Sequence, residues 1–147
     1  MTCSGSADFS GESILKSTLL TGFLSLVLLT GCSSVPSNAV ATVGETSDAS
    51  FSKDVLQSKD PVLVDFYTTW CGPCKIMAPV VEQLSAQYNG KVKVYRMDIE
   101  KNPGVAQALG IESIPTFALF KGGRPVDGAV GVVPKQRLAE KIDEHLQ

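Results

Sequence analysis

Two cysteines separated by two residues, Cys71 and Cys74 in Trp70-Cys71-Gly72-Pro73-Cys74-Lys75, can close a small ring or open it at little conformational cost. That is redox chemistry. The attacking species in disulfide exchange is a thiolate, and an attacking sulfur needs a second one close by to resolve the mixed disulfide. Two other uses of the pair weigh less. Half of a zinc site would need two further ligands, but there is no second Cys pair and His145 stands alone. A static structural disulfide usually closes a longer loop, because its entropic gain grows with loop size.

The flanking residues supply the elements that must hold such a pair. Val62 to Tyr67 is nearly all apolar, as in a central strand covered on both faces, and a helical pattern runs from Ile76 to Tyr88. Cys71 at the first turn of that helix would face unpaired N–H groups and the positive end of the macrodipole, which favours thiolate. Cys74, one turn further in, would be the more buried. Gly72 lets a partner's backbone approach, Pro73 fits the helix start, and Trp70 would shield one side. Asp65 is the exception in its strand: a carboxylate there either bonds locally or moves protons, and burial should raise its pKa.

Trp70-Cys71-Gly72-Pro73-Cys74-Lys75, preceded by Val64-Asp65-Phe66 and followed by Ile114-Pro115-Thr116, resembles the thioredoxin family. The similarity runs from near Ser50 to Gln147. It implies an α/β fold, a mixed five-stranded sheet flanked by four helices. It also implies that Asp65 passes a proton to and from the resolving Cys74. Ile114-Pro115 would be the family's cis-proline loop, where the Ile114 backbone pairs with substrate and Pro115 keeps metal away, and Gly131 would leave room for substrate. Pro79, inside the helix, has a counterpart in relatives. Arg96 stands where the family commonly has lysine near the buried aspartate, and Tyr67 where many members have tryptophan. Arg does not give up its proton, so it could bias Asp65 only as a fixed charge.

The remaining elements follow from pattern. Asp48 or Ser50 is expected to cap a first helix carrying Phe51, Val55 and Leu56, and Ala39 to Val43 could be an edge strand. Val92 to Ile99 reads as a strand, Asn102-Pro103 as the cap of a short helix ended by Gly110, and Phe117 to Lys121 as a strand. Gly122-Gly123 turns into a last strand, Pro125 to Val130. Val133-Pro134 opens a final amphipathic helix.

Composition bounds the partners. With 147 residues, 44% hydrophobic content and net charge −2, the chain is long enough for one well-filled domain and has no basic field for nucleic acid. Of its four cysteines, Cys3 and Cys32 lie in or beside a targeting segment. The apolar run Thr18 to Leu29, with Lys16 before it, is too short to span a bilayer but suits a signal h-region. Leu29-Thr30-Gly31-Cys32 resembles the lipobox of bacterial lipoproteins, which implies residues 1–31 removed and Cys32 acylated, anchoring the protein in a lipid bilayer. A plain secretory signal or an uncleaved anchor is the alternative. Met1 to Ser13 carries Asp8 and Glu12 and no cation, unlike a signal's start, so translation is expected to begin near Ile14 or Leu15. Residues 32–49 read as a flexible linker spanning roughly 25 Å, and 50–147 as the folded domain.

The expected activity is reduction of client-protein disulfides by a monomer with no cofactor and no metal, because Gly72-Pro73 is the pair found in reducing members of the family. Outside the cytosol, electrons would have to come from a membrane donor or a reductase-like partner. An oxidase or isomerase using the same cysteines, or a non-catalytic binding module, are the rivals.

Overall fold

The computed structural model describes residues 42–147. The apolar run, Cys3, Cys32 and the early linker therefore lie outside the described residues. Five strands form one mixed sheet: β1 (Gly44–Glu45), β2 (Val62–Tyr67), β3 (Lys93–Asp98), β4 (Thr116–Lys121) and β5 (Arg124–Val130), in the order β1-β3-β2-β4-β5. The first three run parallel, while β4 is antiparallel to both β2 and β5. A π-helical segment (Ser52–Leu56) and three α-helices, α1 (Gly72–Gln87), α2 (Pro103–Ala108) and α3 (Lys135–Leu146), complete the described residues.

Central β2 occupies the residues its apolar run marks, because both of its faces are covered. On one side Leu63 packs with Met77, Val81 and Leu84 of α1, Phe117 and Leu119 of β4, and Leu138 and Ile142 of α3. On the other, Val62, Val64 and Phe66 pack with Phe51, Val55, Met97 and Phe120. Asp65, two residues after Leu63, points to the first of these faces. Tyr88, at the end of α1, clamps α3: its hydroxyl lies 2.9 Å from Asp143 Oδ1 and 3.2 Å from the Ala139 carbonyl. Gly122 and Gly123 both have positive φ, as a two-residue hairpin turn demands.

Three local expectations need correction. Among the described residues the sheet begins inside the stretch read as linker, since Gly44 and Glu45 pair with Tyr95 and Arg96; of the strand expected at 39–43, residues 42 and 43 are not in a strand and the rest lie outside the described residues. Neither Asp48 nor Ser50 caps the first helical segment, which carries no side-chain cap. Asn102 does stand at the N-cap of α2, with Pro103 opening the helix as expected, but its side chain makes no cap hydrogen bond. Its Oδ1 accepts the Asp48 N–H and its Nδ2 donates to the Asp98 carbonyl, so it is already engaged. Asp48 supplies the cap instead, from far along the chain. Its two oxygens accept the N–H groups of Gly104 and Val105 at 2.9 and 2.8 Å.

Loss of that cap should cost about 1 kcal/mol, so Asp48→Ala should melt about 5 °C lower. A Cβ on Gly104 would stand 2.9 Å from Asp48 Oδ2. Gly104→Ala should therefore destabilise the wild type but stabilise the Asp48→Ala background, where only its better helix propensity remains. Denaturant unfolding of the four proteins reads the sign change, and equal effects in both backgrounds would rule it out.

Candidate active site

The site stands where β2 runs out and α1 begins. Cys71 N–H donates to the Thr68 carbonyl at 3.3 Å, closing the turn that carries the chain off the strand. Cys71 then has extended backbone angles and serves as the N-cap of α1, its Sγ accepting the Cys74 N–H at 3.1 Å. The two sulfurs are bonded to each other, with the Cα atoms 5.3 Å apart. Gly72 and Pro73 form the first helical turn, where a proline's missing N–H costs nothing. Both cysteines are buried, Cys71 4% exposed and Cys74 1%. When the bond opens, the sulfur that accepts the first-turn N–H is the one whose negative charge the helix end favours.

Gly72 and Lys75 are exposed. A Cβ at Gly72 would meet nothing within 4 Å, so the protein's own packing does not require glycine there. Trp70 does not fold over the ring into the core. It is 68% exposed, with its indole N–H donating to Glu100 Oε2 at 3.0 Å. α1 continues through Pro79, which has no N–H to offer the Lys75 carbonyl.

Beneath the first turns of α1 lies Asp65. Cys74 shares a helical face with Met77 and Val81, which pack on Leu63, and Asp65 is the next residue on that face of β2. Its side chain is 0% exposed. Arg96 is its register neighbour on β3 and donates from Nε to Oδ2 at 3.0 Å. Oδ1 is buried with no hydrogen-bond partner. Burial pushes the carboxyl above its ordinary pKa, and the charge and hydrogen bond of Arg96 oppose that without cancelling it.

The loop on the far side of β2 completes the site. Ile114-Pro115 is cis, and Pro115 is buried just before β4, whose Thr116 pairs with Phe66 at the Cys71 end of β2. Gly131, with φ of 84°, donates its N–H to the Pro115 carbonyl at 2.7 Å. Beside it Val130 and Val132 are exposed, as is Ile76 on α1. A shallow depression lined by Ile111, Glu112, Ser113, Thr116 and Val130 adjoins the loop. A second recess, lined by Asp60, Asn89, Lys91 and Lys93 among others, lies at the opposite end of the sheet and has no cysteine in its lining.

A family model described as thioredoxin matches residues 42–144. The chain belongs to the thioredoxin family. It is 54% identical over 102 residues to a thioredoxin of Synechocystis sp., covering 69% of this chain and 95% of that one. Thioredoxin 1 of Nostoc sp. is 47% identical over 107 residues, 73% of this chain and all of its own. A chloroplastic M-type thioredoxin of spinach is 43% identical over 110 residues, 75% of this chain and 61% of its own. With its Cys71–Cys74 disulfide ring, the protein is a thioredoxin-type thiol-disulfide oxidoreductase, a disulfide reductase. Among the described residues no helix is long and apolar enough to cross a membrane.

The sequence marks Cys71, Cys74, Asp65, Arg96, Trp70, Ile114, Pro115 and Gly131, and the fold collects them at one end of the sheet. It does not mark Glu100 as the partner of Trp70, thirty residues on. Nor does it mark the exposed valines after β4, whose nearness to Pro115 depends on the β4–β5 pairing.

A raised carboxyl pKa sets the sign of a stability effect. The unfolded chain loses this proton at about pH 3.9 while the folded one holds it higher, so folding stability falls as pH rises through that window. Asp65→Asn should therefore be more stable than wild type at pH 8 and gain nothing below about pH 4. Urea unfolding across that range measures the gap; a gap independent of pH would mean that Asp65 does not titrate as a buried acid.

Proposed function

We propose that the dithiol form reduces disulfides of exported proteins, with Cys71 attacking and Cys74 resolving. The observation that carries this reading is the Cys71 sulfur as acceptor at the start of α1. In the first step Cys71 thiolate attacks one sulfur of the client disulfide, a mixed disulfide forms, and the client's other sulfur leaves as thiolate and is protonated. In the second, Cys74 gives its proton to Asp65 and attacks Cys71 Sγ. The client's second sulfur leaves as a thiolate and takes its proton from solvent, and the Cys71–Cys74 ring of this structure is regenerated. Two electrons pass to the client. Exchange with a dithiol partner, a membrane donor or a reductase-like protein, restores the pair.

Trp70, Gly72, Ile114, Pro115 and Gly131 form the docking rim. An extended client strand would lie beside Ile114, with apolar side chains against Trp70 and Val130, while Lys75 stays at the exposed rim. The apolar run and the Leu29-Thr30-Gly31-Cys32 motif support an exported form tethered through acylated Cys32. Two or three acyl chains, at about 0.8 kcal/mol per buried CH₂, would make release negligible.

Insulin reduction with a chemical dithiol as donor should proceed with the wild type and fall to background with Cys71→Ser. Cys74→Ser should accumulate mixed disulfides that a reductant releases. A wild type no faster than Cys71→Ser would leave a binding module, and a pair found mostly oxidised by acid-quenched alkylation of bacterial cells would overturn the direction of electron flow.

For the anchor, the full chain produced in a bacterial host should sediment with membranes and carry lipid mass, while Cys32→Ser accumulates an unlipidated precursor. The intact mass of that precursor also reads the translation start. Wild type recovered without lipid would remove the tether.

A further inference from the structure

Arg96 reaches the buried carboxylate through a single donor. Its guanidinium has five N–H donors in a planar fork that suits both oxygens of a carboxylate at once. Here the contact is through Nε to Oδ2, and Oδ1 stays without a hydrogen-bond partner. The Cζ atom lies 4.0 Å from the ring centroid of Tyr67, two residues beyond Asp65 on the same face of β2. Tyr67 is itself placed by register opposite Asp98 and by a long 3.5 Å contact from its hydroxyl to Glu45 Oε1 on β1.

We propose that Tyr67 is a positioning residue of the redox cycle: its ring seats Arg96 so that one carboxylate oxygen of Asp65 is held and the other stays open for the proton exchanged with Cys74. The inference rests on the reading of Asp65 as the proton carrier. Without the ring face, Arg96, a quarter exposed, has other carboxylates to turn to. Glu45 comes from β1, and Asp98 from the end of β3 with Lys101 beyond it, and all three act on Tyr67. On the remaining sides of Asp65 stand Phe117 of β4, which does not titrate, and α1, whose titratable group on that face is Cys74. Arg96 is thus the cation that opposes the rise in the Asp65 pKa, and its seat decides how strongly. Burial holds the Tyr67 phenol above its ordinary pKa, so the ring stays neutral beneath the cation.

The test is a carbon-13 NMR titration of the Asp65 carboxyl in the oxidised protein, which needs no turnover. Tyr67→Phe keeps the ring and should leave the midpoint in place. Tyr67→Leu removes it and should raise the midpoint by about half a pH unit, in the direction of Arg96→Met but by less. Tyr67→Met is the second variant should the leucine protein not fold. The double variant Tyr67→Leu/Arg96→Met should shift no further than Arg96→Met alone, because Tyr67 acts through Arg96. An unmoved midpoint in Tyr67→Leu, or additive shifts in the double variant, would overturn the proposal. Failure of the underlying reading shows elsewhere. If Asp65→Asn leaves the pH dependence of mixed-disulfide resolution unchanged, Asp65 is not the proton carrier, whatever the midpoints do.

Discussion

A sulfur that must accept a backbone N–H at the start of a helix can stand in very few places, and the architecture follows from giving it one. Cys71 has to leave the end of a strand, adopt extended backbone angles and present Sγ to the Cys74 N–H. That demands a strand ending four residues earlier, at Tyr67, and a helix running back over the same face. The central β2, buried on both sides, provides a rigid end from which to launch the turn. α1 keeps its place through the apolar row Met77, Val81 and Leu84, and Tyr88 secures it on α3. The parallel pairing of β2 with β3 brings Arg96 to Asp65, and the antiparallel pairing with β4 brings Pro115 to the sulfurs' end of the sheet.

Asp65 works against this packing. A carboxyl in the position of a core residue costs free energy whenever it is ionised, and one hydrogen bond from Arg96 does not satisfy both of its oxygens. A better fold would place leucine there. The retained cost makes sense if the proton has to be close to Cys74 and dry, because a base in water is levelled to an ordinary carboxylate and loses its driving force for the transfer. On the proposed role of Asp65 as proton carrier, stability and activity are set against each other in one side chain.

Much of this was legible in the residues themselves. β2 is found where the run Val62 to Tyr67 puts it, because a strand covered on both faces needs an uninterrupted apolar stretch. The cysteine spacing and Pro73 mark the helix start, and paired glycines mark the last hairpin. What was not legible depends on partners distant in sequence. Asp48 reads as a cap for the helical segment just after it, and its carboxylate is used instead by α2, more than fifty residues on. Asn102 holds the N-cap position that it reads as, but its side chain is spent on Asp48 and Asp98. Glu100 and Trp70 meet because β3 ends beside β2, and the stacking of Arg96 on Tyr67 has the same origin. Register carries this information, and a local pattern does not contain it.

The rim around the sulfurs bears on how one domain can serve many clients. Trp70, Ile76, Val130 and Val132 are exposed apolar groups around a shallow surface rather than walls of a deep pocket. Such a surface offers contact area to any extended segment and little shape to discriminate by. For disulfide exchange that is sufficient. The transient mixed disulfide is covalent, so docking need only hold the client long enough for an in-line approach of Cys71, and tight binding would slow the release of product. Glu100 adds one constraint, since its hydrogen bond from the indole holds the Trp70 ring out from the core, preformed rather than ordered at the client's expense. On the proposed docking mode, selectivity rests less on side-chain fit than on which disulfides present an extended, accessible strand to the site.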